Sequence, residues 1–154
     1  MLNILNYSPK IASHRDEFER LNRAWLEKYF VVEAVDQKYF IDPEKEILEK
    51  NGEIFFAELD GRIVGTCSLI LEDGKLELAK MGVEEKIQGQ GIGKFLALEA
   101  VKRARARGEK VLTLVTNSSL STAISLYKKI GFREIFRGQH PKYQRGDVVM
   151  ELDL

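Results

Sequence analysis

Apolar and polar positions along the chain follow two rhythms, and the switches between them divide it into elements. Leu2–Asn6 reads as a short strand, broken by Ser8-Pro9. Phe18, Leu21, Trp25, Leu26 and Tyr29 then recur at three- and four-residue steps, which predicts a helix from about His14 to Phe30. Asp42-Pro43 has the form of an N-cap followed by proline at the first helical position. It predicts a helix to about Lys50, stopped by Asn51-Gly52. Three strands in a meander come next, Glu53–Leu59, Arg62–Leu71 and Lys75–Val83. Asp60-Gly61 and Asp73-Gly74 join them, and Asp-Gly is a favoured hairpin dipeptide.

A helix from about Gly91 to Arg107 ends at Gly108, with Arg103, Arg105 and Arg107 suited to its negative end. Val111–Thr116 is a buried-type strand. Leu120, Ala123, Ile124, Tyr127 and Ile130 mark another helix, ended by Gly131. Phe132–Phe136 and Val148–Leu154 close the chain as strands, the second with one apolar face, as for a strand near a sheet edge. Arg137–Arg145 reads as a long exposed loop. The order is β-α-α-β-β-β-α-β-α-β-β, an α/β chain with a mixed sheet and helices on its faces. Without a linker, repeat or low-complexity segment, residues 1–154 are expected to form one domain.

Composition narrows the classes. A chain of 154 residues with 44% hydrophobic content buries roughly 70% of its unfolded surface and needs no disulfide or metal to fold. Lys+Arg and Asp+Glu balance at 24 each, which argues against general binding to nucleic acid or a membrane surface. No apolar run approaches the roughly 18 residues of a membrane span, and the N-terminus lacks a signal-peptide pattern. A cytoplasmic location is the expectation. Cys67, the single cysteine, sits in an apolar strand pattern and reads as a small buried hydrophobe rather than a nucleophile. His14 and His140 stand far apart without ligand spacing, so no metal is expected. His14 reads as flanking the first helix, and His140, before Pro141, as a loop residue.

The chemistry concentrates where the meander ends. Gln88-Gly89-Gln90-Gly91-Ile92-Gly93-Lys94 follows the strand end Met81-Gly82-Val83 and opens a helix. Glycines at alternate positions leave a row of N–H groups unshielded, and the helix aims its positive dipole end the same way, as a receptor for phosphate oxygens. This is not a P-loop, because Phe95 follows Lys94 where Ser or Thr is required. Nor is it a dinucleotide fingerprint. The spacing is Gly89-x-Gly91-x-Gly93, it follows an antiparallel meander, and the next strand ends in Thr116-Asn117 without an acidic residue.

Gln88-x-x-Gly91-x-Gly93 resembles the Gln/Arg-x-x-Gly-x-Gly/Ala signature of the GNAT superfamily of N-acetyltransferases. Ala123-Ile124-Ser125-Leu126-Tyr127-Lys128-Lys129-Ile130-Gly131-Phe132 is similar to that family's Ala-Ile-x-Leu-Tyr-x-x-x-Gly-Phe segment, in the family's order. The resemblance covers about Glu53 to Phe136. It departs at Leu120, where many relatives carry Asn, and at Glu84-Glu85, where a proline often stands. It implies a mostly antiparallel sheet splayed between the fourth strand, ending at Val83, and the fifth, Val111–Thr116. Acetyl-CoA would enter the gap as cosubstrate. Its pyrophosphate would lie on the N–H groups of Gln88, Gly89, Gln90, Gly91, Ile92, Gly93 and Lys94. Its pantetheine arm would run along Met81, Gly82 and Val83, with Gly82 as the site of a strand bulge. Asn117 and Ala123 complete the implied cofactor contacts.

The resemblance also implies roles. Tyr127, one helical turn after Ala123, would give a proton to the departing thiolate; the alternative is a core tyrosine packed under the sheet. The backbone N–H near Met81 would meet the charge that develops on the thioester oxygen. Glu77, in step with Ala79, Met81 and Val83 on a regular strand, would act as general base, or be only a solvent-facing charge between Leu76 and Leu78. The acceptor would lie against Trp25–Phe40 and Arg137–Arg145. Trp25, Glu27, Tyr29, Phe30, Glu33 and Asp36 suit an amine. Arg137, His140, Lys142, Tyr143 and Arg145 suit a carboxylate or phosphate. The expected reaction is acetyl transfer by direct attack of a primary amine on a small, amino-acid-like molecule, with a homodimer through the C-terminal strands compatible with the family. The other readings are a peptide or protein amine acceptor, or a non-catalytic acyl-CoA-binding module.

Overall fold

A computed structural model describes residues 1–139 and 144–154. Seven strands form one sheet: β1 (Leu2–Asn6), β2 (Glu53–Leu59), β3 (Arg62–Glu72), β4 (Lys75–Val83), β5 (Val111–Thr116), β6 (Arg133–Arg137) and β7 (Val148–Asp153). Their order is β1-β2-β3-β4-β5-β7-β6. All neighbours are antiparallel except β4 and β5, which run parallel. β7 lies one strand in from the edge, which β6 forms. Among the described residues four α-helices accompany the sheet: α1 (Ala12–Tyr29), α2 (Ala34–Ile41), α3 (Ile92–Ala106) and α4 (Ser121–Ile130). No helix among the described residues is long and apolar enough to cross a membrane.

Strand alternation sends side chains into two cores. Phe55, Leu69, Leu76, Leu78, Leu112, Leu114 and Met150 meet Leu96, Ala97, Ala100 and Ala104 of α3, and Ile124 and Tyr127 of α4. The alanines let α3 lie close to the sheet, whose apolar face supplies the driving force. On the other face Ile54, Phe56 and Ile70 meet Phe18 and Leu26 of α1 and Tyr39 and Phe40 of α2. Cys67 is fully buried in the first core, and burial pushes its thiol up to about 12, so it stays a protonated hydrophobe.

The first part of the chain departs from its pattern. Residues 34–41 form a helix that periodicity does not announce, because its apolar residues fall all round it. An acidic pair starts it: the Glu33 carbonyl accepts the Asp36 N–H at 3.0 Å, and Asp36 Oδ2 accepts the Glu33 N–H at 2.9 Å. The helix expected up to Lys50 is a π-helical turn, Glu44–Leu48. Asp42 does cap it, with Oδ1 accepting the Lys45 N–H at 3.1 Å, but Glu49 N–H bonds Glu44 C=O and Gly52 N–H bonds Ile47 C=O, five residues back. His14 lies inside α1, buried, its Nδ1 accepting the Ser8 N–H at 2.9 Å.

The sheet opens where the site lies. β4 and β5 are paired only at Leu76–Leu112 and Glu77–Thr113. Beyond Glu77, among the described residues, no strand pairs with the β5-facing edge of β4. β4 is also irregular against β3: Ser68 faces Ala79 and Thr66 faces Gly82, so two residues, Lys80 and Met81, stand against Cys67 alone. That is a β-bulge, and Lys80 within it has the left-handed φ of 52°.

Candidate active site

A cavity of about 660 Å³ fills the opening between β4 and β5. Asn22, Trp25 and Tyr29 of α1, with Phe30 just after it, wall one end; Glu77–Val83 of β4 and Leu114–Thr116 of β5 form its sides; residues 88–89 and 91–94 close the other end. Ala123 and Tyr127 reach in from α4. The structure thus brings together every expected catalytic and cofactor residue except Gln90, which is exposed and does not line the cavity; of the residues expected at the acceptor, Trp25, Tyr29, Phe30 and Arg145 line it, whereas Glu27, Glu33, Asp36 and Arg137 do not.

The glycine-rich turn is shaped by its backbone. Gly89 and Gly91 have φ of 86° and 80°, conformations that other residues adopt only with strain. A Cβ placed on either would meet nothing within 4 Å, so the space before them is open. Gly91 is the N-cap of α3, which leaves the N–H groups of the helix's first turn without intrahelical acceptors. Two anchors hold the turn. The Ile92 side chain is buried in the α3-side core, and Gln88 Nε2 donates to the Val83 carbonyl at 3.2 Å. An open row of amides at a helix N-terminus fits a pyrophosphate. Gly93 faces α4 instead: a Cβ placed on it would stand 3.8 Å from Leu126 Cδ2.

Tyr127 is buried, and its ring packs edge-on to Phe132 at 5.8 Å. Gly131, with φ of 121°, ends α4 and lets the Phe132 N–H return to the Tyr127 carbonyl at 3.0 Å. The Gly-Phe pair therefore holds the tyrosine in place. Burial first, and the Cys67 thiol second, push the phenol above its ordinary range. It is a protonated donor at neutral pH. Among the described residues its hydroxyl has no hydrogen-bond partner, and the residue lines the cavity.

The bulge corrects two expectations about β4. Glu77 and Ala79 share the α1 side, Glu77 opposite Ile70, whereas Met81 and Val83 pack with the α3-side core. The extra residue breaks the alternation that would have kept all four in step. Glu77 is buried and lines the cavity, so it is not a solvent-facing strand charge. The bulge itself lies at Lys80–Met81 rather than Gly82. Gly82 is bare for another reason: a Cβ there would stand 2.7 Å from the Leu21 carbonyl oxygen of α1.

Four charged side chains, Glu33, Asp36, Lys80 and Arg145, form a cluster beside the cavity, which Lys80 and Arg145 line. Asp36 is fully buried. Its Oδ1 accepts from Lys80 Nζ and from Arg145 Nη2, each at 2.8 Å; its Oδ2 accepts from Arg145 Nη1 at 2.7 Å and from the Glu33 N–H at 2.9 Å. Arg145 Nη1 also reaches Glu33 Oε2 at 2.9 Å. Burial alone would raise the Asp36 carboxyl, but the Arg145 fork and the Lys80 ammonium bring it down to about 2. Asp36 and Glu33 are therefore engaged by Arg145 and do not stand open as acceptor carboxylates. This cluster escaped the sequence reading, and the one local trace of it is the acidic pair three residues apart that caps α2. Of the basic loop expected to face the acceptor, Arg137 pairs with Glu134, while His140, Lys142 and Tyr143 lie outside the described residues.

Asn117 lines the cavity with its side chain already engaged. Nδ2 donates to the Arg145 carbonyl, and Oδ1 accepts from the Ser119 N–H and hydroxyl. Beside it Asp147 takes the Ser118 N–H and hydroxyl at 2.7 and 2.6 Å. These bonds tie the turn after β5 to the segment before β7. Among the described residues no group of three His, Cys, Asp or Glu could hold a metal ion.

A family model for the acetyltransferase (GNAT) family matches residues 15–132. The uncharacterized N-acetyltransferase YvbK of Bacillus subtilis is 30% identical over 105 residues, 66% of this chain and 68% of that protein. The chain belongs to the GNAT acetyltransferase family. It spans less than half the length of several other curated relatives it matches. The fold agrees with that of a GNAT-family acetyltransferase from Staphylococcus aureus Mu50, at a TM-score of 0.85 and 24% identity over 100% of this chain and 99% of the other. It also agrees with a GNAT-family acetyltransferase from Elizabethkingia anophelis with acetyl-CoA bound, at a TM-score of 0.71 and 21% identity over 99% and 98% of the two chains.

Proposed function

We propose that the protein moves an acetyl group from acetyl-CoA to the primary amine of a small molecule, amino-acid-like acceptors included, by direct attack. One observation carries this reading: a single cavity joins the glycine-rich turn, the parted edges of β4 and β5, Tyr127 and Glu77. The open main chain before Gly89 and Gly91 suits the pyrophosphate of acetyl-CoA. Met81–Val83, on the β4 edge that β5 leaves unpaired, suits the pantetheine arm. When bound, acetyl-CoA supplies an acyl carbon attached to a thiolate leaving group.

The chain's own residues then have three tasks. Tyr127 holds a proton at its hydroxyl and gives it up as thiolate charge develops. The main chain at Lys80–Met81, out of register with β3, offers N–H donors where the carbonyl oxygen gains charge. Glu77 takes a proton from the attacking amine. Trp25, Tyr29 and Phe30 form an aromatic wall that favours a cationic amine before it loses that proton.

Amine-dependent thiol release from acetyl-CoA, with acetylated products identified by mass spectrometry, tests the reading. The amine panel should hold amino acids, simple aliphatic and aromatic amines, and a lysine-containing peptide. Turnover with small amines supports the proposal, and turnover with the peptide alone moves the acceptor class. A thermal shift with acetyl-CoA but no turnover with any amine leaves an acyl-CoA-binding module.

A further inference from the structure

We infer that Lys80 is a positioning residue: its buried ion pair with Asp36 holds the β4 bulge and so sets the main chain of Met81 at the acyl end of the cavity. Its part in catalysis rests on the acetyl-transfer reading above; its part in the fold does not.

Lys80 combines two features that rarely occur together. Its φ of 52° is left-handed, where a side chain with a Cβ is strained and where glycine or asparagine is the common choice. Its side chain is 5% exposed, although a lysine ammonium is costly to bury. A bulge alone would be better served by glycine. The lysine is explained by what its head meets: Nζ lies 2.8 Å from Asp36 Oδ1 and 4.8 Å from the centre of the Tyr39 ring. The buried Asp36 carboxylate helps offset both the backbone strain and the ammonium desolvation.

That carboxylate does not move freely. Asp36 caps α2 through the Glu33 N–H, and the Arg145 fork holds both of its oxygens. Lys80 therefore docks onto a fixed point, and its backbone follows. The consequence lies downstream. Because residue 80 takes the left-handed turn, Met81 and Val83 face the α3 side, and Gly82 comes to the Leu21 carbonyl of α1, where only a glycine fits. The same Asp36 also binds Arg145, which lines the cavity. One carboxylate thus ties α2, the β4 bulge and the residue 145 segment into a single geometry.

The test compares Lys80→Met with Lys80→Gly. Methionine removes the ammonium and keeps the backbone strain; glycine removes both. Asp36 keeps the Arg145 fork in either variant. The first readout is amide hydrogen exchange. In Lys80→Met the amides of residues 80–83 should exchange about tenfold faster or more, with residues 76–78 unchanged. In Lys80→Gly the local change should be smaller. Equal acceleration along all of β4, or none, would overturn the inference, because a general loss of stability moves both halves together. The second readout is turnover. Lys80→Met should lower kcat by about tenfold or more, with a smaller loss of acetyl-CoA affinity by calorimetry because the glycine-rich turn is untouched, and Lys80→Gly should recover part of the loss in kcat. Equal kcat in the two variants contradicts the inference. Should Lys80→Met not fold, Lys80→Gln and Lys80→Asn give the same comparison, since asparagine tolerates the left-handed region and glutamine does not. If the wild type turns over no amine, the acetyl-transfer reading fails, and the exchange experiment still decides whether Lys80 holds the bulge.

Discussion

The two ends of the cavity are built from different materials. The end proposed to take the donor is main chain: Gln88, Gly89 and Gly91–Lys94, with two left-handed glycines and the first turn of α3. The end proposed to take the acceptor is side chain: Lys80 and Arg145 line it, and they are held from behind by Glu33 and Asp36, 44 or more residues away in sequence. A backbone cradle needs only that nothing covers its amides, so its requirement is local. A charged clamp needs four partners to agree at once, and removing one leaves the others buried without compensation. The donor end should therefore tolerate change by losing affinity, and the acceptor end by losing the fold.

The largest effect should come from Asp36→Ala. It takes the shared acceptor from Lys80 and Arg145 and should cost about 3–5 kcal/mol of stability, measured by urea denaturation. In wild type this stabilisation is complete above pH 3.8, where the carboxyl is ionised in both states. It is lost as pH falls from 3.8 toward about 2, because the unfolded chain then binds the proton first. Asp36→Ala protein kept folded at low temperature should still show an acetyl-CoA thermal shift, which separates the two ends. Tyr127→Phe comes next, between them. It should lower kcat by about 100-fold with acetyl-CoA affinity unchanged. Because the folded phenol lies above its ordinary range, the wild-type rate should show no loss from Tyr127 on raising the pH to about 10.

Gly91→Val acts on the donor end alone. It strains a φ of 80° and puts a side chain into the open space, so acetyl-CoA should bind about tenfold more weakly by calorimetry, with the Asp36 cluster intact. The smallest effect lies away from both ends. Burial lowers the His14 pKa, and the neutral ring accepts the Ser8 N–H. Above about pH 6.5 His14 is neutral in both states, and stability is full. Below that the unfolded state takes up the proton first, and unfolding free energy falls with pH. His14→Gln should flatten that slope in denaturation curves taken between about pH 6.5 and 5.

The same contrast decides what could be read in advance. β2 and β4 have the limits expected from their Asp-Gly turns, and β5 from its apolar run. The glycine turn and the Tyr127-x-x-x-Gly131-Phe132 segment were equally legible, since each states its geometry within ten residues. α2 was missed because neither its apolar residues nor its acidic cap has the usual pattern. The bulge was placed one step late because glycine, the visible marker, serves the contact with α1, while a lysine takes the left-handed turn. Asp36 reads from the sequence as an open carboxylate because its partners, Lys80 and Arg145, lie 44 and 109 residues away. Local chemistry is written locally, and ion pairs across the fold are not.

The most direct measurement is a crystal structure of the protein grown with acetyl-CoA. The account predicts pyrophosphate oxygens about 3 Å from main-chain nitrogens of residues 89–94, and the thioester between β4 and β5 beside the Tyr127 hydroxyl. Acetyl-CoA seated elsewhere, or with its sulfur away from Tyr127, would contradict it.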